Sequence, residues 1–242
     1  MKILALEFSS SRRSVAVLES GARGASGEGL REPGTGAMQI LGCAAEAGAG
    51  GSKAFEMITA ALSAAGLERE QVECLAVGLG PGSYTGIRVA IAIAQGWELA
   101  SGLRLAGVSS VECMAAQLAD EGFEGRAHVI VDAQRREFYL ATFAFAGGGF
   151  REVRPLGLAS EAEVRALHEA GEVLAGPEVE RWFSGARRLD PQAGMTARLA
   201  GSRLEFTAGE RLEPIYLRAT SYVKAPPPRF GPASDGPVKD GG

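Results

Sequence analysis

Apolar positions along the chain fall into two successive series of elements. Ile3–Phe8 is a short apolar run with Glu7 near its end, followed by the polar stretch 9–13 and the apolar Ser14–Leu18. This pattern predicts an opening β-hairpin. Six glycines between positions 20 and 36 leave room for a weak third strand at best, and the Gly/Ala-rich stretch Gly42–Gly51 predicts a flexible loop. Phe55, Ile58, Ala61, Leu62 and Ala65 recur at helical spacing, so Ala54–Ala65 is expected to be an amphipathic helix closed by Gly66. Val72–Leu79 reads as a strand and Gly80–Thr85 as a glycine turn. Gly86–Ala100 reads as a helix apolar nearly all round, with Ile87, Val89, Ile91, Ile93, Trp97 and Leu99. Such a helix is buried on more than one side. A strand over Leu103–Val108 and a helix from Ser109 or Ser110 to Ala119 complete the first series.

The second series begins with a strand over Ala127–Val131, a turn holding Arg135 and Arg136, and a strand over Phe138–Phe145. A triple-glycine turn leads to a strand near Phe150–Leu156. Ser160 and Glu163 form a capping-box pattern before a helix to Ala170. A strand over Val173–Ala175 follows, then a helix over Pro191–Leu199 capped by Asp190 with proline at its first position. Ile3–Val17 and Val129–Leu140 share one order of strand, acid, polar turn, arginine pair and strand. This echo predicts a duplicated α/β unit, with chance likeness of two hairpins as the alternative. The expected division is 1–107 and 108–222, with a disordered Pro/Gly-rich tail over 223–242.

Composition narrows the class. The 242 residues carry 25 basic and 29 acidic side chains, a net charge of −4, so no strongly basic nucleic-acid footprint is present. Three well-separated cysteines, Cys43, Cys74 and Cys113, make a poor disulfide framework and point to a reducing, cytoplasmic compartment. The apolar run at the N-terminus stops at Glu7, too early for a signal peptide, and no apolar stretch approaches the ~20 residues of a membrane span.

Two features could carry chemistry. Gly80-Pro81-Gly82-Ser83-Tyr84-Thr85-Gly86-Ile87-Arg88 joins a strand to a helix. Its amides, with Arg88, could hold an anion; equally, its glycines could serve a tight turn with close packing. It lacks the Gly-Lys-Ser/Thr ending of a Walker loop. Glu7 and Asp132 end the strands that open each half. They could flank a cleft around a metal–nucleotide, or each could cap its own turn or pair with the arginines that follow. The two histidines, His128 and His168, fit no zinc pattern, and Cys113 reads as a buried small residue rather than a nucleophile.

Glu7-Phe8-Ser9-Ser10, the glycine motif, Gly107-Val108-Ser109-Ser110-Val111-Glu112, Val131-Asp132-Ala133-Gln134-Arg135-Arg136-Glu137-Phe138-Tyr139 and Glu213-Pro214-Ile215-Tyr216-Leu217-Arg218 occur in order. Together they resemble the TsaB (YeaZ) family of tRNA threonylcarbamoyladenosine biosynthesis, from residue 3 to about 223. The resemblance implies an actin-like (ASKHA) fold of two ribonuclease-H-like halves, each a mixed sheet with flanking helices. It implies a non-catalytic subunit that binds TsaD, the transferring subunit, and through that pair TsaE. On the same resemblance, the chain alone is expected to form homodimers and to meet tRNA only through the complex, and no cofactor is expected, with room left for a nucleotide at a composite interface with TsaD. TsaD carries a His-x-x-x-His metal pair, and the matching places here are Ser110 and Met114. The family's first acid is usually Asp, here Glu7. The competing reading is an ATP-dependent kinase or transferase of the same fold, with Glu7 and Asp132 as its cofactor-binding residues; a metallopeptidase is opposed by the missing histidines. The partner surface is expected on the two helices 54–65 and 86–100, with Phe55, Ile58, Leu62, Ile87, Ile91 and Trp97 as anchors.

Overall fold

The computed structural model describes residues 1–21, 38–47 and 53–217. Two five-stranded mixed sheets share one topology. The first contains β1 (Lys2–Glu7), β2 (Arg12–Ser20), β3 (Met38–Ala47), β4 (Cys74–Gly78) and β5 (Arg104–Val108), in the order β3-β2-β1-β4-β5. The second contains β6 (Gly125–Asp132), β7 (Glu137–Ala146), β8 (Gly149–Ser160), β9 (Val173–Gly176) and β10 (Arg187–Arg188), in the order β8-β7-β6-β9-β10. In each, the first three strands form an antiparallel meander and the last two add in parallel. The echo between the hairpins is therefore a duplication of the whole unit.

Both faces of the first sheet are covered, which is why β1 reads as a continuous apolar run. Leu4 and Leu6 face α1 (Ala54–Ala65) and α2 (Tyr84–Ser101), packing with Ile58, Leu62, Ile87 and Ile91. Ile3 and Ala5 face the other way, onto α5 (Ala193–Arg203). That interface is built of alanines, Ala5, Ala16, Ala76 and Ala106 against Ala193, Ala197 and Ala200, so the helix lies close to the sheet. The second sheet packs α3 (Ser110–Asp120) on one face through Val111, Met114 and Leu118, and α4 (Glu161–Glu169) on the other through Val164. The helix that follows each sheet thus crosses to the opposite lobe. The closing segment returns with α5: Leu212 joins the α1–α2 core, and the Ile215 N–H donates to the Leu79 carbonyl at 2.9 Å.

Several expectations change. The predicted loop at 42–51 is largely strand, since β3 pairs with β2 from Met38 to Ala47. Its small residues serve packing: a Cβ on Gly42 would lie 2.3 Å from the Ala61 carbonyl oxygen, where α1 crosses the sheet. Asp190 does not cap α5. Gln192 precedes the helix, while the Asp190 carboxylate pairs with Arg188 at 3.1 Å. The capping of α4 stands in part, with Ser160 Oγ accepting from the Glu163 N–H at 3.2 Å while the Glu163 carboxylate pairs with Arg154. The stretch 22–36, from the glycine-rich region, and the tail 223–242 lie outside the described residues.

Candidate functional site

β1 delivers Glu7 to the junction of the two lobes, where its side chain is fully buried. The Ser9 N–H donates to Oε1 at 3.0 Å, Ser110 Oγ lies 3.2 and 3.1 Å from the two carboxyl oxygens, and Thr196 Oγ1 lies 3.3 Å from Oε2. These partners come from the turn after β1, from the first residue of α3 and from α5. Gly78, at the end of β4, makes the space: a Cβ there would sit 2.0 Å from Oε2. Burial pushes the Glu7 carboxyl above its usual range, and the hydrogen bonds oppose that shift without cancelling it. Of the two local readings, Glu7 caps its own turn through the Ser9 N–H, and no pairing with Arg12 or Arg13 is found among the described residues.

The glycine motif is a clasp on the same turn. The Ser83 N–H donates to the Ser9 carbonyl at 2.7 Å, and Ser83 Oγ caps α2 by accepting from the Gly86 N–H at 3.3 Å. Gly80 exchanges two hydrogen bonds with Ser110, its N–H to Oγ at 3.1 Å and its carbonyl from the Ser110 N–H at 2.9 Å. A Cβ at Gly82 would lie 2.0 Å from the Ser9 carbonyl oxygen, and one at Gly86 would lie 2.1 Å from that of Phe8. Gly82, at φ +150°, also holds a conformation that other residues rarely adopt. Pro81 is buried between them. The amides of Gly80, Ser83 and Gly86 thus have partners within the fold, which favours close packing over anion binding. Tyr84 and Thr85 are exposed; Arg88 donates to Tyr84 Oη at 2.8 Å, and Tyr216 stacks on Tyr84 with ring centroids 5.4 Å apart.

Asp132, the counterpart of Glu7 in the repeat, serves its own turn by accepting from the Gln134 N–H at 2.7 Å. It lines a hollow with Pro177, Glu178, Arg181 and Trp182. Glu7 is sealed and does not face a cleft with it. Ser110 and Met114 are fully buried, the hydroxyl on Glu7 and the thioether in the core of the second sheet. A hydroxyl and a thioether are a poor ligand pair for a metal that imidazoles would hold. Burial, together with nearby Glu7, pushes the Cys113 thiol up to about 12, far from a reactive thiolate. Thr196 and Gly78 were not singled out by the sequence. Their partner lies 189 positions away in one case and across the sheet in the other, and no local pattern marks either.

Four of the six expected partner anchors belong to the monomer core. Ile58, Leu62, Ile87 and Ile91 are all buried beneath α1 and α2 against β1, β2 and β4. Phe55 is 68% exposed, Trp97 is half-buried, and Leu99, 88% exposed, is a further apolar side chain on the outer face. The exposed residues of the two helices also include small ones, Thr59, Ala60 and Ser63 of α1 and Thr85, Ala92 and Gly96 of α2, and the charged Glu56 and Arg88.

Two duplicated lobes, each a mixed sheet with the following helix crossed to its neighbour, define an actin-like fold of two ribonuclease-H-like halves. A solved structure, YeaZ from Pseudomonas aeruginosa, superposes with a TM-score of 0.67 at 23% identity, covering 89% of this chain and 99% of that one. The family model for TsaD, tRNA N6-adenosine threonylcarbamoyltransferase, matches residues 52–201. The tRNA threonylcarbamoyladenosine biosynthesis protein TsaB of Escherichia coli is 36% identical over 87 residues, 36% of this chain and 38% of that protein. Its Haemophilus influenzae namesake is 40% identical over 86 residues, 35% of this chain and 36% of that protein. The chain therefore matches less than half the length of these curated relatives. It belongs to the TsaD family in the broad sense and, within it, to the TsaB/YeaZ family.

Proposed function

We propose that this chain is a non-catalytic scaffold and activator subunit in the formation of threonylcarbamoyladenosine in tRNA, and that it works by binding TsaD. The observation that carries the reading is the state of the cleft: the opening acid is sealed by Ser9, Ser110 and Thr196, and the glycine motif clasps the turn beside it. A kinase or transferase of this fold needs that carboxylate free to hold a metal–nucleotide. The position matching the first imidazole of the TsaD metal pair is here the Ser110 hydroxyl, and it completes the seal. TsaE enters through the TsaB–TsaD pair, a nucleotide is held only at a composite surface with TsaD, and tRNA is met by the complex in the cytoplasm. No described helix is long and apolar enough to cross a membrane.

The outer face of α1 and α2 is the proposed contact surface, for TsaD or for a second copy when TsaD is absent. It carries small side chains that let helices approach, with Phe55 and Leu99 as exposed anchors. The test is complex formation with TsaD, followed by threonylcarbamoyladenosine synthesis in the reconstituted system. Phe55→Asp and Leu99→Asp leave the monomer core intact. Each is expected to weaken association by on the order of 2–4 kcal/mol through a buried unpaired charge. Variants that bind TsaD as tightly as the parent chain would place the interface elsewhere, and synthesis unaffected by omitting the chain would remove the proposed role.

A further inference from the structure

Two five-stranded sheets have four outer edges, and an unpaired edge is a template for further pairing unless something blunts it. Among the described residues, three of the four are blunted. β5 is bridged by the closing segment, whose Thr207 N–H donates to the Leu105 carbonyl at 2.9 Å. β10 is two residues long, and both are arginine. β8 carries Arg151, Glu152, Arg154 and Pro155, and its pairing with β7 is irregular at two points. β3, the counterpart of β8 in the repeat, is the exception. It runs ten residues with one charge, Glu46, and no proline. Its one irregularity lies between the pairs Val17↔Gly42 and Leu18↔Ile40 and leaves Gly42–Ala47 in regular register with β2.

Every second residue of an edge strand turns its N–H and C=O away from its neighbour. β3 therefore presents a row of donors and acceptors that no other described strand takes up. The side chains along that row are small or apolar. Ile40 is 50% exposed, and Cys43, Ala45 and Ala47 are exposed with it. On the helix side, α1 meets the strand at Gly42 with Ala61, Ala64 and Ala65, so no long side chain stands over it there.

We infer that the β3 edge pairs antiparallel with the β3 edge of a second copy of this chain, joining the two first-lobe sheets into one continuous sheet. An identical strand suits this edge in charge and in geometry. The two-fold axis of such a pair passes between like residues facing each other. The two longest overlaps are 38–46 centred on Gly42 and 39–47 centred on Cys43, and neither sets an acid against an acid. The two Glu46 side chains then lie about six to eight residues apart along the strands, at least about 20 Å at ~3.4 Å per residue and beyond the roughly 8 Å screening length of physiological salt. Each copy also supplies the edge that the other lacks, so one pairing removes both. A foreign strand would bring a new open edge of its own. The inference rests on β3 alone and does not depend on the α1–α2 face or on TsaD.

The test uses the full chain carrying Phe55→Asp and Leu99→Asp, which disables the proposed α1–α2 contact, so that the failure of one surface is distinguishable from the failure of the other. Sedimentation velocity from about 1 to about 200 µM should show a monomer–dimer equilibrium. Of the three cysteines, Cys43 is exposed while Cys74 and Cys113 are buried. In either overlap the Cys43 Cα lies within about 8 Å of its copy, so bismaleimidoethane should link two chains and Cys43→Ser should abolish the link. Cys43→Lys/Ala45→Lys sets two charges on exposed positions of the edge and leaves the core intact. It should raise the dimer dissociation constant by at least about tenfold. The inference is overturned if the chain stays monomeric across that range, if the lysine variant dimerises as its parent does, or if no dimer is linked through Cys43. A monomer in which every β3 amide resists hydrogen exchange would mean that the chain's own segment 22–37 covers the edge, and would overturn it as well.

Discussion

One substitution made twice in the same helix separates packing from propensity. Gly86 and Gly96 both lie within α2. Alanine is favoured over glycine in a helix interior by about 1 kcal/mol. At Gly96 a Cβ would meet nothing within 4 Å. Gly96→Ala should therefore stabilise by about that amount and raise the melting temperature by about 2–4 °C for a domain of this size. At Gly86 the new Cβ would lie 2.1 Å from the Phe8 carbonyl oxygen, more than 1 Å short of ordinary contact. The obstacle is backbone, and it cannot yield easily, because the next residue's carbonyl is bonded to the Ser83 N–H at 2.7 Å. Overpacking costs about 1–3 kcal/mol or more. It outweighs a propensity gain that is already reduced in the first helical turn. Gly86→Ala should then lose about 2 kcal/mol net and melt about 4–8 °C lower. Thermal melts followed by circular dichroism, with urea titrations for the free energies, give both numbers. If the two variants shift in the same direction, the glycine motif is not a packing clasp and its reading as an open anion loop returns.

Two further predictions concern pH. The folded Glu7 carboxyl titrates above 4.5, so its contribution to stability is full below that value and is lost as pH rises through the folded value. Glu7→Gln keeps an acceptor for the Ser9 N–H and cannot ionise. Its stability relative to the parent should therefore grow from pH 4.5 upward, and a difference that stays flat in urea titrations would refute the buried, uncompensated charge. His128 behaves in the opposite sense. Burial lowers its imidazole below 6.5, with Nδ1 on Thr142 Oγ1 at 2.9 Å and Glu172 at 3.4 Å from Nε2. Its contribution is present above 6.5 and is lost as pH falls through the folded value. His128→Asn should flatten the stability profile on the acid side of 6.5, and an unchanged acid slope would place the titration in another group.

What could be read from the sequence was what local residues decide. α1 was predicted and found at Ala54–Ala65, because its apolar stripe and the left-handed Gly66, at φ 64°, act within a few residues of each other. The duplication was visible through its two hairpins for the same reason. Local signals misled where distant partners intervened. Asp190-Pro191 looks like a helix start, but Gln117 of α3 holds the Asp190 carbonyl at 3.1 Å and the Gln192 N–H at 3.0 Å, which moves the start of α5 to Ala193. The alanines and glycine of β3 looked like a loop because the helix that needs them small is a separate element. The anchors Ile58, Leu62, Ile87 and Ile91 were misplaced because an apolar helix does not declare which of its sides meets its own sheet. Half of the glycine motif's purpose was also hidden, since the turn it clasps lies about 75 positions earlier.

Glu7 and Asp132 occupy the same place in the repeat and meet opposite fates, and the residue across the sheet accounts for the difference. Extending the β1–β4 register one step past Leu6↔Val77 puts Gly78 beside Glu7. With no side chain there, the carboxyl folds into the space, and Ser110 and Thr196 close over it from the two crossed helices. In the second lobe β9 ends at Gly176 and the chain turns, so that Glu178 lines the same hollow as Asp132. Two carboxylates cannot both be buried side by side without a cation between them. Each instead turns to its own loop, Glu178 to Arg181 and Asp132 to Gln134, and both line an open hollow. The duplicated scaffold thus uses one copy of its strand-end acid to lock the lobes together and leaves the other at the surface. The first copy is enclosed by hydroxyls and an amide, and the second stays beside the solvent, held only by its own turn.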